Sequence, residues 1–160
     1  MGRELRMVPP GWEHPRDVNG NYIPLLSETP GQRREARRQW EAGFTRDYSK
    51  PGRHWKPKDA TDNGYTYEEY AGSARDDARM PDFAPGAATH FCMYEDTTEG
   101  TPISPAFATP EELARWLADN NASAFGRMGA TYEEWLATIK RGWAVGMVID
   151  GGGIKPGTAL

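Results

Sequence analysis

The chain is poor in the residues that build reactive sites. A single cysteine, Cys92, in 160 residues excludes an intramolecular disulfide, and its place in the apolar run His90-Phe91-Cys92-Met93-Tyr94 points to a buried thiol. There are three histidines, His14, His54 and His90, with no C-x-x-C and no H-x-x-x-H spacing, so no metal site or metal cofactor is expected. His90 and Cys92 would share one face of a strand, but two further ligands would have to come from afar. A glycine-rich phosphate loop is also missing: Gly151-Gly152-Gly153 follows a candidate strand, but no helix follows it. No apolar run approaches the roughly 18 residues of a membrane span, and no signal-peptide core opens the chain. The expectation is a soluble, cytoplasmic protein. Aliphatic residues are scarce as well. Hydrophobic residues make up 38% of the chain, and six Trp and seven Tyr offset the shortage, because each buried aromatic removes a large area from water.

What is present is best signed between Thr89 and Asp150. Thr109-Pro110-Glu111-Glu112 reads as a capping box with Pro at the first helical position, followed by the stripe Leu113, Trp116, Leu117. Thr131-Tyr132-Glu133-Glu134 repeats the device before Trp135, Leu136 and Ile139, and Gly142 stops that helix. His90–Glu95 reads as a strand, Thr101–Ser104 as its return, and Trp143–Ile149 as a short buried strand. The fold class that follows is α+β: a small antiparallel sheet of about three strands with two helices on one face, spanning residues 86–160 as hairpin, helix, helix, strand. The tail after Gly151 is expected to be disordered or loosely docked.

Residues 1–85 read as a loop-rich, proline-containing extension. In 1–28 the prolines argue against a helix or central strand, and Trp12 with Tyr22–Leu26 suggests an extended strap pinned to a neighbouring surface. Thr29-Pro30-Gly31-Gln32 opens a basic helix over about 30–42, with Ala36 and Trp40 on its packing side and Arg33, Arg34, Arg37 and Arg38 crowded on another. Thr66-Tyr67-Glu68-Glu69 caps a further helix of a turn or two. The carboxylate pairs Glu68-Glu69, Glu111-Glu112 and Glu133-Glu134 all sit in first helical turns, where the macrodipole favours negative charge, so capping accounts for them without acid–base chemistry.

Net charge is −4 but unevenly placed: residues 1–58 carry 12 Lys/Arg against 7 Asp/Glu, and residues 59–160 carry 7 against 16. Polarity of this kind steers partners and says nothing of fold. The basic run Arg53, Trp55, Lys56, Lys58, together with the arginine helix, offers a phosphate-holding and base-stacking surface. The pI near 5.4 is unlike that of a dedicated nucleic-acid binder.

Met93-Tyr94-Glu95-Asp96-Thr97-Thr98-Glu99-Gly100-Thr101-Pro102-Ile103-Ser104-Pro105, with Phe107–Ala114, resembles a run found in uncharacterised proteins of tailed bacteriophages and prophages. Ala122–Gly126, Thr131–Ile139, Gly142-Trp143-Ala144 and Val8–Pro15 belong to the same pattern. The resemblance implies a phage origin and carries no chemistry, so no catalytic residue is transferred.

The reading is therefore a non-enzymatic phage-encoded interaction protein that binds a host protein or ribonucleoprotein complex. It would act in the cytoplasm of the infected cell as an inhibitor of an antiviral defence system of the anti-CRISPR kind. Its candidate contacts are Arg33, Arg34, Arg37 and Arg38, then Arg53, Trp55, Lys56 and Lys58, then the acidic turn Glu95, Asp96 and Glu99. The alternative is a nucleic-acid-associated phage accessory protein that uses the arginine helix and basic strap. An enzyme would require His14, His54, His90 and Cys92 to meet in one cleft.

Overall fold

Threonine caps each described α-helix, as the sequence predicts. A computed structural model describes residues 2–50, 52–72, 75–96, 100–144, 147–150, 153–156 and 158. The elements run β1 (Arg3–Val8), α1 (Pro30–Glu41), β2 (Phe44–Arg46), β3 (Trp55–Pro57), α2 (Tyr67–Ala71), β4 (His90–Glu95), β5 (Thr101–Pro102), α3 (Pro110–Asp119), α4 (Tyr132–Arg141), β6 (Trp143–Ala144), β7 (Met147–Asp150) and β8 (Gly153–Pro156). They divide into two units: residues 1–27 with 83–160, and the inserted residues 28–82.

The first unit is α+β. Its antiparallel sheet has the order β5-β4-β1-β6, and β6 adds only two residues at one edge. Met93 on β4 packs with Leu113, Ala114 and Leu117 of α3, Trp135 and Ile139 of α4, and Ala124 between the helices. Leu5 and Phe91 join this cluster from the same face of β1 and β4. Both helices thus cover one side of the sheet. These two amphipathic helices supply most of the cluster's buried residues, and truncating a buried leucine such as Leu117 to Ala costs about 2–5 kcal/mol at sites of this kind.

Period-two alternation puts Glu4, Arg6 and Val8 of β1 beside Tyr94, Cys92 and His90 of β4 on the opposite face. No helix covers it. Residues 9–26 cross it as an extended strap, held where Arg6 Nη1 donates to the Leu25 carbonyl (2.9 Å) and the Leu25 amide donates to Gly100 O (3.0 Å). The strap suggested by Trp12 and Tyr22–Leu26 is present.

Several expectations need correction. Residues 1–28 were expected to lack a strand, yet Arg3–Val8 forms one in the interior of the sheet. Two arginines conceal it, and both are tolerated because the guanidinium groups find acceptors: Arg3 Nε donates to Ser123 O (2.7 Å), and Arg6 Nε meets Glu4 at 3.1 Å. The expected strand Trp143–Ile149 is broken in two. Trp143–Ala144 pairs with β1, and Met147–Asp150 pairs instead with Gly153–Pro156. That pairing also gives part of the supposedly loose tail regular structure, while Gly151 and Gly152 lie outside the described residues. The boundary expected near residue 85 falls at 82/83, and a second crossing at 27/28 was not foreseen.

The inserted unit packs Ala36 and Trp40 of α1 against Tyr67 of α2, with Trp55 alongside. Residues 43–58, expected to be loop and strap, contain the β2–β3 pair, in which Thr45 faces Lys56. Asp82 accepts the Gly31 amide (2.9 Å), and Trp40 stacks on Tyr70 at 4.3 Å between centroids.

Gly100 fixes the path of the strap. It has φ +64°, and an added Cβ would lie 2.5 Å from Leu25 O, whereas Gly11, at φ +70°, has nothing within 4 Å. Gly11→Ala should cost only the left-handed backbone penalty, about 1–2 kcal/mol. Gly100→Ala should exceed it by roughly 1–3 kcal/mol through overpacking, a difference readable in paired urea denaturation curves.

Candidate functional site

The strap and the loop after β5 enclose a cleft of about 960 Å³ in the first unit. Trp12, His14, Arg16 and Tyr22 form one wall, Pro102–Ala106 the other, and Cys92 and Trp116 line it between them. The loop wall is held against β4: Ile103 N donates to Met93 O (2.8 Å), Met93 N to Ser104 Oγ (2.9 Å), and Phe91 N to Phe107 O (2.8 Å).

Tyr94, fully buried on β4, organises the strap wall. His14 Nε2 lies 2.6 Å from the Ile23 carbonyl, which can only accept, so that nitrogen carries the ring proton. His14 Nδ1 is then the acceptor, and the Tyr94 hydroxyl donates to it at 2.9 Å. The same hydroxyl accepts from Trp12 Nε1 at 3.0 Å. The result is a directional chain, Trp12 to Tyr94 to His14 to Ile23, in which each polar atom is used. Arg6 stacks over the Tyr94 ring at 4.2 Å. Burial pushes the Tyr94 hydroxyl far above its usual range. Burial is also the main cause lowering the His14 imidazole below 6.5, the Ile23 hydrogen bond opposing it and Arg6 and Arg16 adding to it. His14 is therefore a neutral structural ring.

His14 and Cys92 line one cleft; the other two histidines do not join them. His54 belongs to the inserted unit, and His90 bonds the Thr89 hydroxyl at 2.9 Å. Convergence of an imidazole and a thiol does not make a nucleophilic pair here. Both His14 nitrogens are occupied, and burial raises the Cys92 thiol to about 11. The thiol donates to the Ser104 carbonyl at 3.3 Å. No group of three or more His, Cys, Asp or Glu is placed to hold a metal among the described residues.

The contacts named from sequence are dispersed. Arg33 is buried, donates to Gly72 O and lies over Tyr67 at 5.1 Å, so it does not share a solvated face with the other arginines. Arg34 pairs with Asp82 at 3.8 Å, Arg37 with Glu68, and Arg38 with Glu35. Arg53 reaches Glu28 at 3.5 Å and lies over Trp55 at 5.5 Å. Lys56 is exposed on β3, and Lys58 sits over Trp40 at 4.5 Å. Residues 28–82 hold 11 Lys/Arg and 11 Asp/Glu, so the basic helix lies in a unit with no net charge. In the acidic turn, Glu95 is buried, Asp96 is half-buried, and Glu99 lies outside the described residues. The cleft was missed because Trp12, Tyr94 and Ser104 are far apart in sequence. The segment Trp12-Glu13-His14-Pro15 was its only local trace.

No protein-family model, curated protein or solved structure matches the chain.

Three measurements test the clasp. Tyr94→Phe strands the Trp12 and His14 nitrogens and should cost roughly 1–3 kcal/mol in chemical denaturation. Because His14 is harder to protonate folded than unfolded, the unfolded state binds more protons below pH 6.5. Stability should therefore fall as pH drops from about 6.5 toward the folded value, and the His14→Gln variant should lose that component. With its thiol near 11, Cys92 should resist iodoacetamide at pH 8 in native protein and react in urea, as followed by mass spectrometry.

Proposed function

We propose that this chain is a non-enzymatic binding protein whose strap–loop cleft receives a segment of a larger partner. The observation that carries the reading is the internal saturation of the cleft's reactive groups. His14 has no free nitrogen, the Cys92 thiol stays protonated, and Tyr94 both donates and accepts within the wall. What faces the opening is recognition surface: Tyr22 with Arg16 stacked at 4.0 Å, prolines 15, 102 and 105, and Trp116. Rigid aromatic and proline walls lose little entropy on binding, which favours affinity from a preformed site.

The resemblance to phage proteins makes the partner a host macromolecule. The finer form of the proposal is occupation of a protein or ribonucleoprotein of an antiviral defence system in the infected cell's cytoplasm. No described helix is long and apolar enough to cross a membrane. Nucleic acid is the weaker partner, because Arg34, Arg37, Arg38 and Arg53 are engaged with carboxylates of their own unit and Arg33 is buried.

The test is affinity capture from infected or host cells with the full-length protein, with Arg16→Glu plus Pro105→Glu as the altered bait. Both positions are exposed cleft lining. The proposal expects a stoichiometric partner retained by the unaltered protein and lost by the variant. A partner held equally by both would overturn the cleft as the contact, and steep salt-dependent binding to DNA abolished by Arg34→Glu with Arg38→Glu would replace the proposal with the nucleic-acid reading.

A further inference from the structure

Trp116 has a second side. Beyond it, along the outer face of α3, lies a separate groove of about 660 Å³ that also includes Phe107 and Tyr132. Helical spacing places Glu112, Trp116 and Asn120 in one row and Glu111, Arg115 and Asp119 in the next, so carboxylates stand beside the half-buried Trp116. Phe107 and Trp116 stand 6.2 Å apart at 43°, half-open toward the groove.

Two observations set these carboxylates apart from ordinary capping acids. At α1, α2 and α4 the third helical residue, Gln32, Glu69 or Glu134, reaches back to the amide of its capping threonine. At α3 only half of that device forms. Thr109 Oγ1 accepts the Glu112 amide at 3.2 Å, but the Glu112 side chain makes no return bond. Backbone geometry gives the reason: Thr109 has φ −131°, where the other three caps have −73°, −71° and −73°. The expected full capping box at Thr109 is thus corrected, and the Glu112 carboxylate is left facing the groove. Glu111 and Glu112 form no ion pair among the described residues. The chain's own arginine already displays the chemistry the groove accepts. Arg115 lies over Tyr132 at 4.1 Å with Asp119 at 3.9 Å, a guanidinium on an aromatic face backed by a carboxylate.

We infer that this groove docks an arginine side chain presented by a basic segment of a protein partner, its guanidinium on Trp116 and its charge between Glu111 and Glu112. Charge complementarity selects that occupant. The unit that carries the groove holds 12 Asp/Glu against 8 Lys/Arg, which repels phosphates and attracts cationic peptide. A planar guanidinium both stacks and forks to carboxylates, which an ammonium does not. The inference goes beyond the cleft reading and does not require the cleft to be filled.

The experiment titrates ¹⁵N-labelled full-length protein with acetyl-Gly-Arg-Gly-amide and with the same peptide carrying citrulline, its uncharged isostere. Expected is a saturable shift of the Trp116 indole N–H resonance by the arginine peptide and at least about tenfold weaker binding of citrulline. Glu111→Gln with Glu112→Gln should weaken the arginine peptide by about tenfold, with an unchanged circular-dichroism spectrum because neither carboxylate holds the cap. The cleft variant Arg16→Glu plus Pro105→Glu should bind the peptide as the unaltered protein does, which separates failure of this groove from failure of the cleft. Equal binding of the two peptides, a non-saturating response, or full binding by the glutamine variant would overturn the inference.

Discussion

The Tyr94 hydroxyl is the contact on which the first unit depends. A sheet with helices on one face needs a cover for the other, and this chain has too few aliphatic residues to make one. It uses a polar clasp, in which one phenol accepts from Trp12 and donates to His14, and the ring beneath is shielded by Arg6. Such a network stabilises only when every member is satisfied, and here the Ile23 carbonyl closes it. The cleft is a by-product of this arrangement: its shape follows from where the strap must run to reach Tyr94.

Charge read along the chain and charge read in space tell different stories. The basic first third and acidic remainder suggest opposed surfaces. Folding redistributes them, because Arg34, Arg37 and Arg38 of α1 find their carboxylates in the inserted unit, at Asp82, Glu68 and Glu35. Exposed pairs of this kind add little stability individually. Their effect is to cancel a field, and the acidic balance that survives belongs to the unit with the grooves.

How much was legible follows from range. The helix starts were readable because a threonine, its acid or glutamine and the apolar stripe lie within a few residues; all four helices begin where those signals stand. β4 was equally clear from His90 to Glu95. β1 was hidden because its burial depends on acceptors at Leu25 and Ser123, and nothing local shows that two arginines will be satisfied there. For the same reason the sequence could not say what His14 bonds. Its role is decided by Tyr94, 80 residues away. The incomplete cap at Glu112 was invisible, since its sequence matches the complete boxes and only the Thr109 backbone differs.

The place of β1 has a consequence for how the protein emerges from the ribosome. Arg3 pairs with Glu95 and Val8 with His90, so the first strand waits while the whole inserted unit is synthesised. At about 5–20 residues per second this is a delay of roughly 5–20 s. Residues 28–82 are complete on the chain just before β4 arrives, and their contacts close sooner than the β1–β4 pairing does. For that interval β1 lacks its β4 partner, and its two arginines are a charge brake on mispairing with a neighbouring chain.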